Sequence, residues 1–418
     1  MNLAKGKNVN PYIMLLIITG FQFICFMTLI TSVSKEFRTD VVISFGGYLL
    51  VEYAYFIGTG LVLKRRAFEV ELIAFLLTSI GLSITASVYP DGVLKQFFAV
   101  LIGIAGFVIL QIFMRDLKLC IAVRVPVAAV AVGLLAFTLV FASFTNGAKN
   151  WIYISGISIQ PSEIVKVAFI FVGAATLEKL QSNRSLTKFI IFALGCVGLL
   201  FLMYDFGTAL IFFFTFIVIS FMRSGDVRTI ALVCTAALMG GVLVLVFRPY
   251  VASRFEAYGR VWEYFDTSGY QQTRTMIYSA SGGLFGVGLG NGKLREVFAA
   301  TEDLIFGVVC EEFGMIMAGA ILLSYIALLV YSIRHSKYAR SSFYAICACA
   351  AASLMLFQAA LNVFGVNDIL PLTGVTLPFF SYGGSSTVSI YLMLGLVSGV
   401  HARPAPKSHE RYIRPPRY

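Results

Sequence analysis

Glu163 and Lys166 stand three residues apart in the run Gln160-Pro161-Ser162-Glu163-Ile164-Val165-Lys166, so on a helix they share one face and can pair. Pro161 suits the first turn of that helix, and Ser162 and Glu163 then lie near its positive end. Such a pair inside an oily chain is either a structural ion pair beneath a helix cap or part of a membrane-level site for a charged headgroup. Just upstream, Asn146-Gly147-Ala148-Lys149-Asn150-Trp151 offers a cation, amides and an aromatic ring. A second cluster, Asp205-Phe206-Gly207-Thr208, reads equally as a helix N-cap or as a carboxylate at a site. The third spans Tyr270 to Glu312 and contains Glu302, Asp303, Glu311 and Glu312. Asp303 falls at the boundary between a polar loop and an apolar segment. A carboxylate there is hydrated and still close to a lipid-borne substrate, although a plain helix cap would look the same. The fourth, Asn362 to Ser386, holds Asn367, Asp368, Ser381, Tyr382, Ser385 and a Gly/Pro-rich backbone. Irregular backbone at membrane depth persists only where protein buries it or where it lines a cavity. A re-entrant or unwound element lining a site is therefore expected.

The elements that carry these residues are membrane helices. Of 418 residues, 59% are hydrophobic and 13% charged, with a mean hydropathy of +0.86; a soluble domain carries about 25% charged residues. A run of about 20 apolar residues spans a bilayer as a helix. Twelve such segments are expected, at 11–33, 41–63, 70–89, 96–114, 119–144, 163–178, 187–203, 206–222, 229–247, 304–331, 341–364 and 384–400. With the N-terminus inside, the cytoplasmic segments hold 20 of the 32 Lys and Arg residues, as the positive-inside bias requires. Both termini are then cytoplasmic, and all four polar clusters face outward. An ionisable group at membrane depth costs roughly 3 kcal/mol or more, so such residues mark function. The fold class is an all-α polytopic membrane protein: residues 1–400 form one integral membrane domain, with five spans in 1–144 and the site-bearing core in 145–400. A basic tail, 401–418, suits an anionic leaflet and, with the inside bias, accounts for much of the net charge of +11 without nucleic acid.

In the outward loop 248–303, the apolar positions Val251, Phe255, Tyr258, Trp262 and Phe265 recur every three or four residues. An amphipathic helix at the outer interface is expected over 250–266. The glycines of Gly282-Gly283-Leu284-Phe285-Gly286-Val287-Gly288-Leu289-Gly290 follow no predicted strand, so a nucleotide-binding loop is rejected in favour of tight turns. The seven cysteines lie in or beside apolar segments and read as small core residues, and the three histidines are cytoplasmic, which argues against a zinc site or a histidine relay at the membrane centre.

Six segments in order, NGAKNWI (146–152), QPSEIVK (160–166), DFGTALI (205–211), GGLFGVGLG (282–290), EDLIFGVVCEEFG (302–314) and LPLTGVTLPFFSYGGSS (370–386), resemble the signatures of the SEDS family, the FtsW/RodA/SpoVE cell-wall polymerases of bacteria. The resemblance implies polymerisation of lipid II into glycan strands beside a class B penicillin-binding protein, at the outer face of the bacterial cytoplasmic membrane. It carries the family's catalytic aspartate onto Asp303, which would deprotonate the acceptor GlcNAc 4-hydroxyl as this attacks the MurNAc anomeric carbon. Inversion follows and undecaprenyl diphosphate leaves. Lys149 and Lys166 are the candidates to meet the diphosphate charge, with a divalent cation (Mg or Mn) as the other means. Trp151, Gln160, Ser162, Glu163, Asp205, Glu312, Ser381, Tyr382 and Ser385 complete the candidate substrate-binding set. The chain departs from the family where Lys149-Asn150 replaces a pair of basic residues and where Glu302-Asp303-Leu304 replaces a threonine-aspartate-phenylalanine form. It also places five spans before the QPSE segment where the family has three, so two extra N-terminal helices are expected on a core of ten. A non-catalytic scaffold for the penicillin-binding protein, and a flippase or transporter of a lipid-linked precursor, are the competing readings.

Overall fold

The computed structural model describes residues 10–62, 68–145, 147–154, 157–178, 183–225, 231, 235 and 257–399. In chain order these form α1 (Pro11–Ser32), α2 (Arg38–Val62), α3 (Glu69–Val88), α4 (Val93–Phe113), α5 (Leu117–Ala122) and α6 (Arg124–Phe141). Three short strands follow, β1 (Ser143–Thr145), β2 (Ala148–Ile154) and β3 (Ile157–Ile159). Next come α7 (Pro161–Leu177), α8 (Asn183–Leu202), α9 (Phe206–Ser224), α10 (Tyr270–Ser281), α11 (Ile305–Ser336), α12 (Ser342–Val366) and α13 (Gly384–Ser398).

Among the described residues, α1, α2, α3, α4, α6, α9, α11 and α12 are long and apolar enough to cross a membrane, and α8 and α13 are shorter apolar helices. With α7, these account for eleven of the twelve expected spans. The chain is a polytopic helical membrane protein. The ninth expected span, 229–247, and the tail 401–418 lie outside the described residues, apart from positions 231 and 235.

Burial separates inner from outer helices. α3 is almost wholly enclosed, whereas α1 and α6 leave most of their apolar side chains exposed, as befits helices facing lipid tails. The α1–α2 hairpin packs on α3 and α4. Inside it, the Gln22 amide donates to both carboxylate oxygens of Glu52 at 2.9 Å, and both residues are buried.

Two expectations need correction. The connection between α6 and α7, expected as a plain loop, contains an antiparallel β-meander, with Ser143 opposite Trp151 and Tyr153 opposite Ser158. Its alternating residues, too few to signal a strand in an all-helical chain, pair because a short polar connection between membrane helices must satisfy its own backbone groups. In the long loop, residues 257–269 form successive turns and not the amphipathic helix expected over 250–266, of which 250–256 lie outside the described residues. Gly259 has φ +72°, which interrupts a helix, and its N–H donates to Asp368 Oδ1 at 3.1 Å. The Tyr258 hydroxyl donates to the Ile369 carbonyl at 2.8 Å, so this stretch is fastened to the loop after α12. Among the described residues of the long loop, the α-helix is α10.

The glycine-rich stretch has a steric explanation. α11 breaks at Gly314 (φ 82°, ψ 170°), which releases carbonyls one turn earlier. Val287 and Gly288 donate their N–H groups to the carbonyls of Glu311 and Glu312, at 2.9 and 3.1 Å. A Cβ on Gly286 would come within 2.1 Å of the Glu312 carbonyl oxygen, so only glycine permits this approach.

Candidate active site

The four polar clusters converge on one cavity of about 450 Å³. Its wall is assembled from β2 (Ala148, Asn150, Trp151), Gln160 before α7, the turn Tyr204 to Gly207, the turns of the long loop, and α10. Glu302 and Asp303, at the entry to α11, form one side, and the unwound segment Pro371 to Thr376 faces them with Tyr382, Gly383 and Ser386.

Asp205 joins three of these pieces. Its Oδ1 caps α9 by accepting the Thr208 N–H at 3.2 Å, and its Oδ2 accepts from Asn150 Nδ2 at 3.1 Å and Gln160 Nε2 at 3.4 Å. One carboxylate thus caps α9 and also lines the cavity. Asp303 is placed by backbone bonds: its N–H and those of Glu302 and Leu304 all reach the Ala299 carbonyl, at 3.1 to 3.2 Å. Opposite it, Gly374 adopts φ +67°, and a Cβ there would sit 3.4 Å from Asp303 Oδ2, so the carboxylate lies against bare backbone. Tyr382 donates its N–H to the Thr301 carbonyl at 2.8 Å and sets its ring edge-on to Tyr89, centroids 5.2 Å apart. Burial pushes the Tyr382 phenol up from its ordinary value, so it stays a neutral donor at neutral pH.

Of the residues singled out in the sequence, Trp151, Gln160, Asp205, Asp303 and Tyr382 line the cavity. The others stand behind its wall. Lys149 follows the alternation of β2, between the lining residues Ala148 and Asn150, and fixes its strand by donating its N–H to the Met203 carbonyl at 2.8 Å. Ser162, Glu163 and Lys166 turn into the helix bundle. The Lys166 side chain is 1% exposed, with Nζ 2.8 Å from Glu163 Oε1 and 3.0 Å from Gln358 Oε1. Ser381 accepts the Leu377 N–H at 2.8 Å and donates to the Glu302 carbonyl at 2.6 Å, and Ser385 accepts the Gln160 N–H at 3.3 Å. Glu312 is buried away from the cavity, where it accepts from Ser87 Oγ at 2.6 Å and the Gly290 N–H at 3.3 Å. It holds the glycine loop to α11.

Sequence reasoning did not assign Asn150, Tyr204, Tyr258, Gln271, Gln272, Thr373, Thr376 and Ser386, all of which line the cavity. Asn150 lies in the first polar cluster, Gln271 and Gln272 in the third, and Thr373, Thr376 and Ser386 in the last, so their polarity was the available signal; Gln272 reaches its place because its side chain donates to the Gly365 carbonyl of α12 at 2.9 Å. Among the described lining residues none is Lys or Arg, and three are carboxylates. Their oxygens are hard donors of the kind Mg and Mn prefer. However, no group of three or more His, Cys, Asp or Glu among the described residues is arranged to hold a metal ion. The cavity presents amide, hydroxyl, aromatic and carboxylate groups.

The pattern describing the FtsW/RodA/SpoVE cell cycle proteins matches residues 67–405. The chain belongs to the FtsW/RodA/SpoVE family. Among relatives, the peptidoglycan glycosyltransferase RodA of Mycobacterium leprae is 28% identical over 324 residues, spanning 73% of this chain and 69% of that one. The stage V sporulation protein E of Bacillus subtilis is 33% identical over 262 residues, 61% of this chain and 72% of that one. Among solved structures, a chain in a peptidoglycan synthase complex that coordinates polymerization and crosslinking superposes with a TM-score of 0.64 at 24% identity, covering 80% of this chain and 97% of that chain. The FtsW/RodA/SpoVE match opens just before α3, so α1 and α2 precede it, and α3, α4 and α6 are the spans between its start and Gln160.

Proposed function

We propose that this chain is a peptidoglycan glycosyltransferase that polymerises lipid II into glycan strands at the outer face of the bacterial cytoplasmic membrane. The observation that carries the proposal is Asp303, held at the entry to α11 on the wall of a polar cavity, in a member of a family whose relatives are named for this activity. In the reaction, Asp303 takes the proton of the acceptor GlcNAc 4-hydroxyl while that oxygen forms its bond to the MurNAc anomeric carbon. The bond from that carbon to the diphosphate breaks with inversion, and undecaprenyl diphosphate carries away the electron pair. Trp151, Gln160 and Tyr382 supply an aromatic face and hydrogen-bonding groups for a sugar, and Asp205 orients Asn150 and Gln160. The partner is a class B penicillin-binding protein, whose transpeptidase crosslinks the strands; the likeness to a chain of a synthase complex supports this pairing at the level of fold.

Purified protein given lipid II, with and without a cognate class B penicillin-binding protein, is expected to yield glycan strands resolved by electrophoresis. Strands absent in both arms would move the function to a scaffold or a transporter of the lipid-linked precursor.

Both termini are assigned to the cytoplasm and the cavity to the outside. Asp91, in the turn between α3 and α4, and Tyr270 are exposed, whereas a Cβ on the neighbouring Gly92 would lie 2.3 Å from the Tyr89 ring. Cysteines at 91 and 270 are therefore expected to react with an impermeant maleimide in intact cells, and one at the exposed Tyr338 only after permeabilisation. The reverse pattern would invert the topology.

A further inference from the structure

Asn362 and Gln358 lie one turn apart on the same face of α12, and each spends its side-chain amide on the backbone that faces Asp303. Asn362 Nδ2 donates to the Asp303 carbonyl at 2.9 Å and to the Val375 carbonyl at 2.8 Å. Both hydrogens of that amide are thus used, and they join the entry of α11 to the unwound segment. Gln358 Nε2 donates to the carbonyl and to the hydroxyl of Thr376, each at 2.9 Å, while its Oε1 accepts from Lys166 Nζ at 3.0 Å. The Thr376 hydroxyl continues to Ser386 Oγ at 3.1 Å. Residues 371–377 have no helix or strand to satisfy their backbone, and irregular backbone at membrane depth requires partners from the surrounding protein. Two buried amides provide them.

We propose that Asn362 and Gln358 are positioning residues that fix the distance between Asp303 and the segment Thr373 to Thr376, with the Glu163–Lys166 pair fixing Gln358 in turn. The proposal rests on the glycosyltransferase reading for its effect on rate, but the tether itself does not. Asn362 touches the backbone of Asp303, not its carboxylate, so it acts on where the base sits. A displacement of about 1 Å at a reacting group costs on the order of 10²-fold in rate. A substrate bound mainly by the rest of the wall keeps its affinity.

The test is Asn362→Leu, which keeps the side-chain shape and removes the amide. Two measurements are made: steady-state strand synthesis, and backbone hydrogen exchange of the native protein in nanodiscs. The expected result is a kcat lower by roughly 10- to 100-fold with KM unchanged. Exchange should be faster in the peptides covering 299–304 and 371–377, and unchanged in α3 and α4. Unchanged kcat and exchange would overturn the proposal, as would a higher KM at constant kcat or exchange accelerated evenly along the chain. Where Asn362→Leu does not fold, Gln358→Met carries the test, because it frees Thr376 and one acceptor of Lys166 but leaves the Asp303 carbonyl bound to Asn362. If wild-type protein makes no strands, the functional reading fails. Local exchange confined to the two peptides then still supports the tether, and its absence removes it.

Discussion

On the proposed function, Asp303→Ala is expected to abolish glycan-strand synthesis from lipid II while leaving the protein folded and bound to the penicillin-binding protein proposed as its partner. General-base assistance contributes about 10²–10⁴ in rate, which corresponds to about 3–5 kcal/mol of barrier. Of the other two carboxylates on the described wall, Glu302 and Asp205, the latter has both oxygens engaged by Thr208, Asn150 and Gln160. The fold should survive because position 303 is held by its backbone. Its N–H bond to Ala299 and the bond from Asn362 to its carbonyl persist in alanine. Asp303→Asn sharpens the experiment. It keeps size and polarity but removes the basic oxygen, so a catalytic role predicts a loss as deep as in Asp303→Ala. A scaffold would tolerate asparagine. Strand yield is read beside melting midpoint and co-purification of the partner, and normal synthesis by either variant would withdraw the catalytic assignment.

The membrane spans were legible because hydropathy acts over whole segments, and a 20-residue apolar run has few other fates. The β-meander was not. Lys149-Asn150-Trp151-Ile152-Tyr153 is too short to distinguish a strand from a polar loop, and its pairing with Ser143–Thr145 and Ile157–Ile159 depends on partners that local pattern does not name. Spacing alone also misled at 257–266, where apolar residues recur at helical intervals but Gly259 takes a left-handed conformation and Tyr258 bonds across to Ile369. At the site, sequence marked polarity correctly and depth poorly. Gln160 reaches the cavity, while Ser162, Glu163 and Lys166, two to six residues on, are carried by the turn of α7 into the bundle. Ser381 and Ser385 show the same effect: their hydroxyls hold the wall together from behind. A polar residue in a membrane protein signals a partner, and whether that partner is a ligand or a neighbouring carbonyl is decided by tertiary packing.

Lys166→Met is expected to lower stability by about 3–5 kcal/mol, the usual cost of removing one member of a buried ion pair. The pair itself is worth little, because in membranes the unfolded reference also finds partners for polar groups. The cost comes from what remains. Glu163 would keep a carboxylate in a 3% exposed position with its 2.8 Å partner gone, and its Oε2 has no hydrogen-bond partner in the native arrangement. Gln358 would also lose the donor to its Oε1 and with it a constraint on Thr376. Methionine fills the space of the lysine stem, so the loss is not one of volume. Two variants separate a structural pair from a substrate-binding cation. Adding Glu163→Gln to Lys166→Met removes both charges, and replacing a whole buried pair is commonly neutral or better. The double variant should therefore recover most of the melting midpoint in detergent and, if Lys166 serves only the wall, much of the strand synthesis. Recovery of stability without recovery of substrate affinity would show instead that the Lys166 ammonium meets the diphosphate directly.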